Sequence, residues 1–274
     1  MTASKPLDQL RSILPDAFSL TLLDSAINVL GSKNPIRAHL FATAIRELLG
    51  HILYSKAPDN AVMAASWFVK EGEEERPTRR QRATFAIQGG MTAELVEQLG
   101  VDASDMQKNL GAAVTQLNKR THVREDTVLH DPDEITAFAD EVGSAVLDFL
   151  ATIDEMRSIV ADSVMHTVSA DVFSKFLEET VDDIDILSTH TQVEGVQVDH
   201  VEVSSIGVDS IEYSAEGTVY VTLIYGSGSD HEKGDGATIA DNFPFTCNLS
   251  GSITNLTEIT DVSDLEVDTS SWFE

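Results

Sequence analysis

Cysteine is all but missing: Cys247 is the single thiol in 274 residues. One thiol excludes an intrachain disulfide and any cysteine metal cluster, and a cytoplasmic setting is expected. Basic residues are also scarce, 18 against 46 acidic ones, for a formal net charge of −28. Long apolar runs are absent. The stretch AVMAASWFV at 61–69 is among the most apolar and is too short to span a membrane. The opening MTASKPLDQL has no basic segment ahead of an apolar one, so neither a secretory signal nor a membrane partner is expected. What is present is enough apolar residue, 42%, to build a sizeable core in one large domain or two ordinary ones.

The charge is divided unevenly. Residues 1–125 hold 15 basic and 14 acidic side chains, whereas residues 126–274 hold 3 and 32. Such asymmetry points to two functional parts. The second part repels phosphate at long range, so nucleic acid is expected on the first. Adaptation to high salt would spread acid over the whole chain, and the first half does not show it.

Hydrophobic spacing divides the chain in the same sense. Residues 15–31 read as an amphipathic helix with Phe18, Leu22, Ala26 and Leu30 on one side. Residues 36–54 read as a second, capped by Asn34 with Pro35 at its first position. Short helices are expected at 60–70, from Pro77 or Thr78 to Gln88, at 92–100, and from Asp102 or Ser104 to His122. The run Asp131-Pro132-Asp133-Glu134 starts a helix of some thirty residues, and another is expected at 169–180. Alternating residues then predict strands at 197–206, 217–225, 242–249 and 251–259. The fold class is α+β: an N-terminal all-α domain over 1–180, followed by a small antiparallel β domain over 181–274.

The helix at 36–54 carries charge in an apolar setting. Arg46, Glu47 and His51 stand among Leu40, Phe41, Ile45, Leu48, Leu49 and Ile52. Buried charges are costly unless paired or functional. Glu47 and His51, four apart, share a face, while Arg46 and His51 form R-x4-H about 140° apart. These residues fit either a structural pair, Glu47 holding His51, or a catalytic group.

A cluster of cations follows. Arg76, Arg79, Arg80 and Arg82 supply forks that match phosphate, or a solvated face paired with Glu73, Glu74 and Glu75. Asn118 and His122 share a helix face beside Lys119, Arg120 and Arg124. A histidine at a helix C-terminus is held cationic by the dipole. That suits a general acid, or simple charge compensation. His190 and His200 lie in or near strands and are the nearest approach to a metal pair. The run LIYGSGSDHEKGDGA fits neither a P-loop nor an EF-hand and reads as a long hairpin loop.

Several stretches taken together resemble the predicted prokaryotic-PIWI (pPIWI)-associating nucleases of microbial conflict systems. They are Arg46-Glu47-Leu48-Leu49 with His51, Ala57-Pro58-Asp59 with Trp67, and Arg79-Arg80-x-Arg82 leading to Ala86-Ile87-Gln88-Gly89-Gly90. Leu117-x-Lys119-x-Thr121-His122-Val123, Tyr225-Gly226-Ser227 to Asp230, Gly234-Asp235-Gly236 and Phe243-Pro244-Phe245 complete the set. The R-x4-H in an α-helical setting also resembles HEPN ribonucleases, which cut RNA without metal, commonly across a dimer. In those proteins the motif usually opens a late helix rather than sitting inside an early one.

The resemblance implies a nuclease, with RNA as the expected substrate, no cofactor and no metal, in antiviral defence. Arg46, Glu47, His51 and His122 are the catalytic candidates. Arg79, Arg80, Arg82, Asn118, Lys119, Arg120 and Arg124 are the nucleic-acid-binding candidates. A homodimer is the assembly that the HEPN likeness implies. The alternative is a non-catalytic regulatory subunit whose acidic β domain docks a protein partner.

Overall fold

The computed structural model describes residues 5–14, 16–71, 76–178 and 181–273; Glu73, Glu74 and Glu75, the expected arginine partners, lie outside the described residues. The chain forms two compact units, Met1–Met156 and Arg157–Glu274. The expected division at 180/181 follows the change from helix to strand, whereas the compact units divide within a helix.

Unit 1 is helical. Its elements are α1 (Lys5–Ile13), α2 (Ala17–Leu30), α3 (Arg37–Lys56), α4 (Asp59–Ala64), α5 (Arg79–Gln88), α6 (Ala93–Gln98), α7 (Ser104–Thr121) and the first half of α8 (Pro132–Glu178). Side-chain caps set several starts: Asp16 accepts from Ser19 N, and Thr78 forms a capping box with Gln81. α3 begins later than Pro35. The Asn34 side chain accepts from Ile36 N at 2.9 Å and closes a turn, leaving Ile36 as the cap. α3 then buries Phe41, Ile45, Leu48, Leu49, Ile52 and Leu53. Phe41 meets Phe138 of α8 edge to face. Phe18 does not join the core, since α2 buries Ser19, Leu23 and Ala26 instead.

The two late helices expected from spacing are one, α8, of 47 residues. Val160, Val164, Val168, Val172 and Phe176 recur every four residues and are all buried, so the apolar stripe never breaks.

Unit 2 continues through α9 (Asp182–Asp185), β1 (His190–Ile206), β2 (Ser210–Tyr225), α10 (Gly228–Lys233), β3 (Ala237–Ser252) and β4 (Ile259–Val267). The four strands form an antiparallel meander in the order β1-β2-β3-β4. Odd-numbered residues from Ile211 to Leu223 of β2 and from Phe243 to Gly251 of β3, including Tyr213, Val219, Val221, Phe243, Phe245 and Leu249, are buried. Phe176 of α8 packs edge to face on Phe245, and Trp272 lies against Phe243. The register along β1 shifts between Val193 and Gly195, Val198 and His200, and Val203 and Ser205.

The fourth strand lies beyond the stretch that the alternation predicts. Residues 251–259 are the end of β3 and a turn, and the fourth strand lies at 259–267. Gly251 reads as punctuation but pairs with Ile211 inside the sheet. A Cβ there would meet the Tyr213 ring at 3.0 Å. The glycine-rich run does connect two strands as a hairpin loop, and it holds α10 within it, capped by Ser227 and Asp230.

Candidate nucleic-acid groove

A groove of about 390 Å³ runs between α3, α5 and α7. Its floor is apolar: Leu53, Ala83 and Leu110 are buried. Arg79 and Arg80, the first two residues of α5, line it and are exposed. The Thr78 cap fixes this placement, because helix positions follow from the start. Arg79 Nη1 donates to Asn118 Oδ1 across the groove at 3.4 Å. Three of the expected backbone contacts are thereby brought together. Lys119 and Arg124 are exposed nearby in sequence.

Arg82 and Arg120 are placed differently. Arg82 is 2% exposed. It donates to Ala57 O at 2.6 Å and Asp59 Oδ1 at 2.5 Å, and its guanidinium lies 4.0 Å from the Tyr54 ring centre. Four positions into α5, it faces inward where Arg79 and Arg80 face out. Arg120 turns toward α8, its guanidinium 4.4 Å from the Phe138 ring centre and its Nη1 donating to Gln116 Oε1 at 2.5 Å. Burial holds its pKa down, against the pull of Glu141 and Glu134. The Arg82 guanidinium is not free to bridge phosphates.

The catalytic candidates do not converge within one chain. Arg46 pairs with its neighbour Glu47, Nη2 to Oε1 at 2.8 Å, on a partly open surface. Glu47 therefore does not hold His51. His51 instead faces Asp16, Nε2 to Oδ1 at 3.5 Å, with the Phe18 ring edge-on at 5.0 Å. Arg46 lies seven residues before Leu53 and seven after His39, so it shares their edge of α3. Leu53 lines the groove, and His39 reaches the loop after α7, its Nε2 3.0 Å from Thr127 Oγ1. His51 sits on the other edge, beside α2. His122 is exposed and its carbonyl oxygen lies 3.4 Å from Thr127 Oγ1, which places it near His39. His39 and His51 are twelve residues apart, about 18 Å of helix.

A family model described as a predicted pPIWI-associating nuclease matches residues 10–146, half of the chain, and a second with the same description matches residues 153–273. The chain belongs to this family. The gap between the two matched stretches falls within α8, close to the division of the compact units at Met156 and Arg157. No curated protein and no solved structure matches the chain.

In this predicted pPIWI-associating nuclease, two groups escape a reading of the sequence. Asp16 is one. Its carboxyl is held below the usual value, chiefly by hydrogen bonds from Ser19, with His51 adding to the effect. Its only signal is a cap, three residues ahead of a serine. His39 is the other, at 2% exposure. Thr127 Oγ1 donates to Arg124 O at 2.9 Å, so Nε2–H of His39 is the donor toward Thr127. Its Nδ1 is buried without a partner among the described residues. Burial, and then Arg120, lower the His39 pKa from 6.5.

The unfolded chain therefore binds the His39 proton more readily than the folded one. The stability that neutral His39 contributes is complete above about pH 6.5 and declines as pH falls below it. His39→Gln keeps a donor but cannot titrate. Thermal melts between about pH 8 and pH 5 are expected to show a shallower decline in His39→Gln than in the wild type. Parallel declines would show that His39 does not set this dependence.

His190 and His200 stand ten residues apart on β1, about 33 Å of strand, too far to share a metal. His200 pairs across the sheet with Glu216, which pairs with Thr246, which pairs with Glu266. With Glu202 and Asp264 these residues line a largely acidic depression of about 250 Å³ on the outer face. Among the described residues, no helix is long and apolar enough to cross a membrane.

Proposed function

We propose that the chain is a nuclease that cuts RNA without a metal, in a prokaryotic defence system, in association with a pPIWI protein. The observation that carries this reading is the groove between α3, α5 and α7, where Arg79 and Arg80 flank an apolar floor and Asn118 holds Arg79. Arg79, Arg80, Lys119 and Arg124 contact the backbone, and Arg46, on the same edge of α3, faces the charge that builds on phosphate. His122, one turn beyond Asn118, exchanges a proton with the reacting oxygens. A carboxylate beside an imidazole orients it, so Asp16 and His51, 3.5 Å apart, form the second proton-transfer pair.

Cutting RNA in this way needs one group to take the 2′-hydroxyl proton and another to protonate the leaving oxygen. Because His51 and His122 lie apart in one chain, we assign the pair to two copies of a homodimer, His51 from one and His122 from the other. The test is cleavage of single-stranded RNA, single-stranded DNA and duplex RNA by the full chain, with and without EDTA. His51→Ala and His122→Ala are each expected to lower RNA cleavage by about 10²- to 10⁴-fold. Mixing the two variants is expected to restore part of it, since a mixed dimer retains one complete site. Wild type inactive on every substrate, with or without metal, would defeat the enzyme reading.

A second reading is supported by the outer face of the sheet. There, His200 lies among Glu202, Glu216, Asp264 and Glu266. A field of that sign suits a basic partner surface. In this reading the chain is a non-catalytic subunit, and the sheet docks the protein it regulates.

A further inference from the structure

We propose that the groove between α3, α5 and α7 takes an unstacked base of a single-stranded polynucleotide, and so makes the protein selective for unpaired strands. The inference rests on the nucleic-acid reading above and adds the part of the substrate that is read. The groove has two chemistries. Leu53, Ala83, Leu110 and Val114 give it an apolar interior, and Arg79 and Arg80 stand at the same site. A backbone tracked by arginines alone needs no apolar floor. At about 390 Å³ the space is within the range of pockets that hold small planar ligands.

Gly111 enlarges that space. It lies mid-way along α7 and lines the groove, and a Cβ built on it meets no atom of the described residues within 4 Å. A glycine inside a helix costs about 1 kcal/mol relative to alanine, and no close contact at this position requires it. The room is therefore open to a ligand. The opposite wall is held in place, because Gln107 Nε2 donates to Thr84 Oγ1 at 3.3 Å between α7 and α5. Arg79 is tethered to Asn118, so one guanidinium is already oriented for a base plane or a phosphate. An apolar side chain from a protein would fill the floor but bring no charge to either arginine. A nucleotide supplies the apolar ring face and the flanking phosphates together. A duplex presents phosphates, sugars and base edges but no open base face, its bases being stacked inside.

The experiment uses the full-length chain and fluorescent oligonucleotides: single-stranded RNA, single-stranded DNA, duplex RNA, and single-stranded RNA with abasic residues. Wild type is expected to bind either intact single strand about tenfold or more tightly than the abasic strand. Gly111→Phe, which fills the space, is expected to lose that preference and to bind duplex as the wild type does. Gly111→Ala, which adds one methyl into open space, is expected to retain it. Equal wild-type binding of intact and abasic strands overturns the slot whether or not Gly111→Phe folds. It would leave backbone binding standing and the cavity to a side chain of a protein partner. Failure of the wild type to bind any of the four overturns both the slot and the nucleic-acid reading.

Discussion

Gly217→Ala is expected to prevent the native sheet of unit 2 from forming, with a loss beyond about 4 kcal/mol. The residue sits in β2, paired with Val198 of β1 and Phe245 of β3. A Cβ there would come 2.1 Å from the Gln197 carbonyl oxygen and 2.9 Å from both Val198 Cα and the Phe245 ring. Two of those three atoms are backbone, so no side-chain rotation relieves the contact. Phe245 in turn holds Phe176 of α8, and displacing it opens the core of the unit. The chain has two tryptophans, one in each unit: Trp67 packs near Phe85, and Trp272 packs near Phe243. In a Trp67→Phe background, fluorescence reports unit 2 alone. Urea unfolding followed by Trp272 should lose its cooperative transition in Gly217→Ala. A transition at the wild-type midpoint would show that the sheet absorbs a methyl group at this point.

Arg82→Ala should destabilise unit 1 by about 3 kcal/mol, the range for removing one partner of a buried pair. Three partners lose their contact at once: Ala57 O, Asp59 and the face of Tyr54. Ala57 caps α3, and its carbonyl is among those a helix leaves unsatisfied at its end. Asp59 opens α4. Arg82 thus joins the end of one helix to the start of the next from a third. Asp59 is partly open to water, which places the loss at the lower end of the range. Arg82→Lys should recover only part of it, since an ammonium cannot bridge two acceptors and stack on a ring. Arg79→Ala and Arg80→Ala, at exposed positions, should stay within about 0.5 kcal/mol of wild type. In a Trp272→Phe background, urea unfolding followed by Trp67, whose indole donates to Gly89 O at the end of α5, separates the three variants. Equal stability of all three would remove Arg82 from its anchoring role.

The split of the arginine cluster shows where the sequence was legible and where it was not. Four cations within seven positions announce a charged surface, but their fates depend on where α5 begins. The Thr78–Gln81 box decides that, and only then does Arg82 fall on the inner face. The change from a helical to an alternating period was readable, because each period is a property of one element. α3 was readable for the same reason. Its partners were not: spacing gives the angle of a side chain around its own helix, not which neighbour arrives there. Glu47 had the right spacing for His51, yet Arg46 took Glu47 and the α2 cap took His51. The misplaced fourth strand has a similar cause. Gly251 is small because Tyr213 fills its place from across the sheet, a contact that no local pattern contains.

The three register shifts along β1 bear on what this sheet does with strangers. Each leaves one residue of β1 out of the pairing, Glu194, Asp199 and Ser204, at intervals of five. β1 is an outer strand of 17 residues, long enough to template a foreign strand along its open side. A bulge twists the backbone and interrupts the evenly spaced donors and acceptors that such zipping requires. Two of the three interruptions also present a carboxylate. An incoming chain therefore meets short matching stretches instead of one continuous rail. The protein guards its longest edge strand against fibre growth by irregularity and charge, with no proline in that strand.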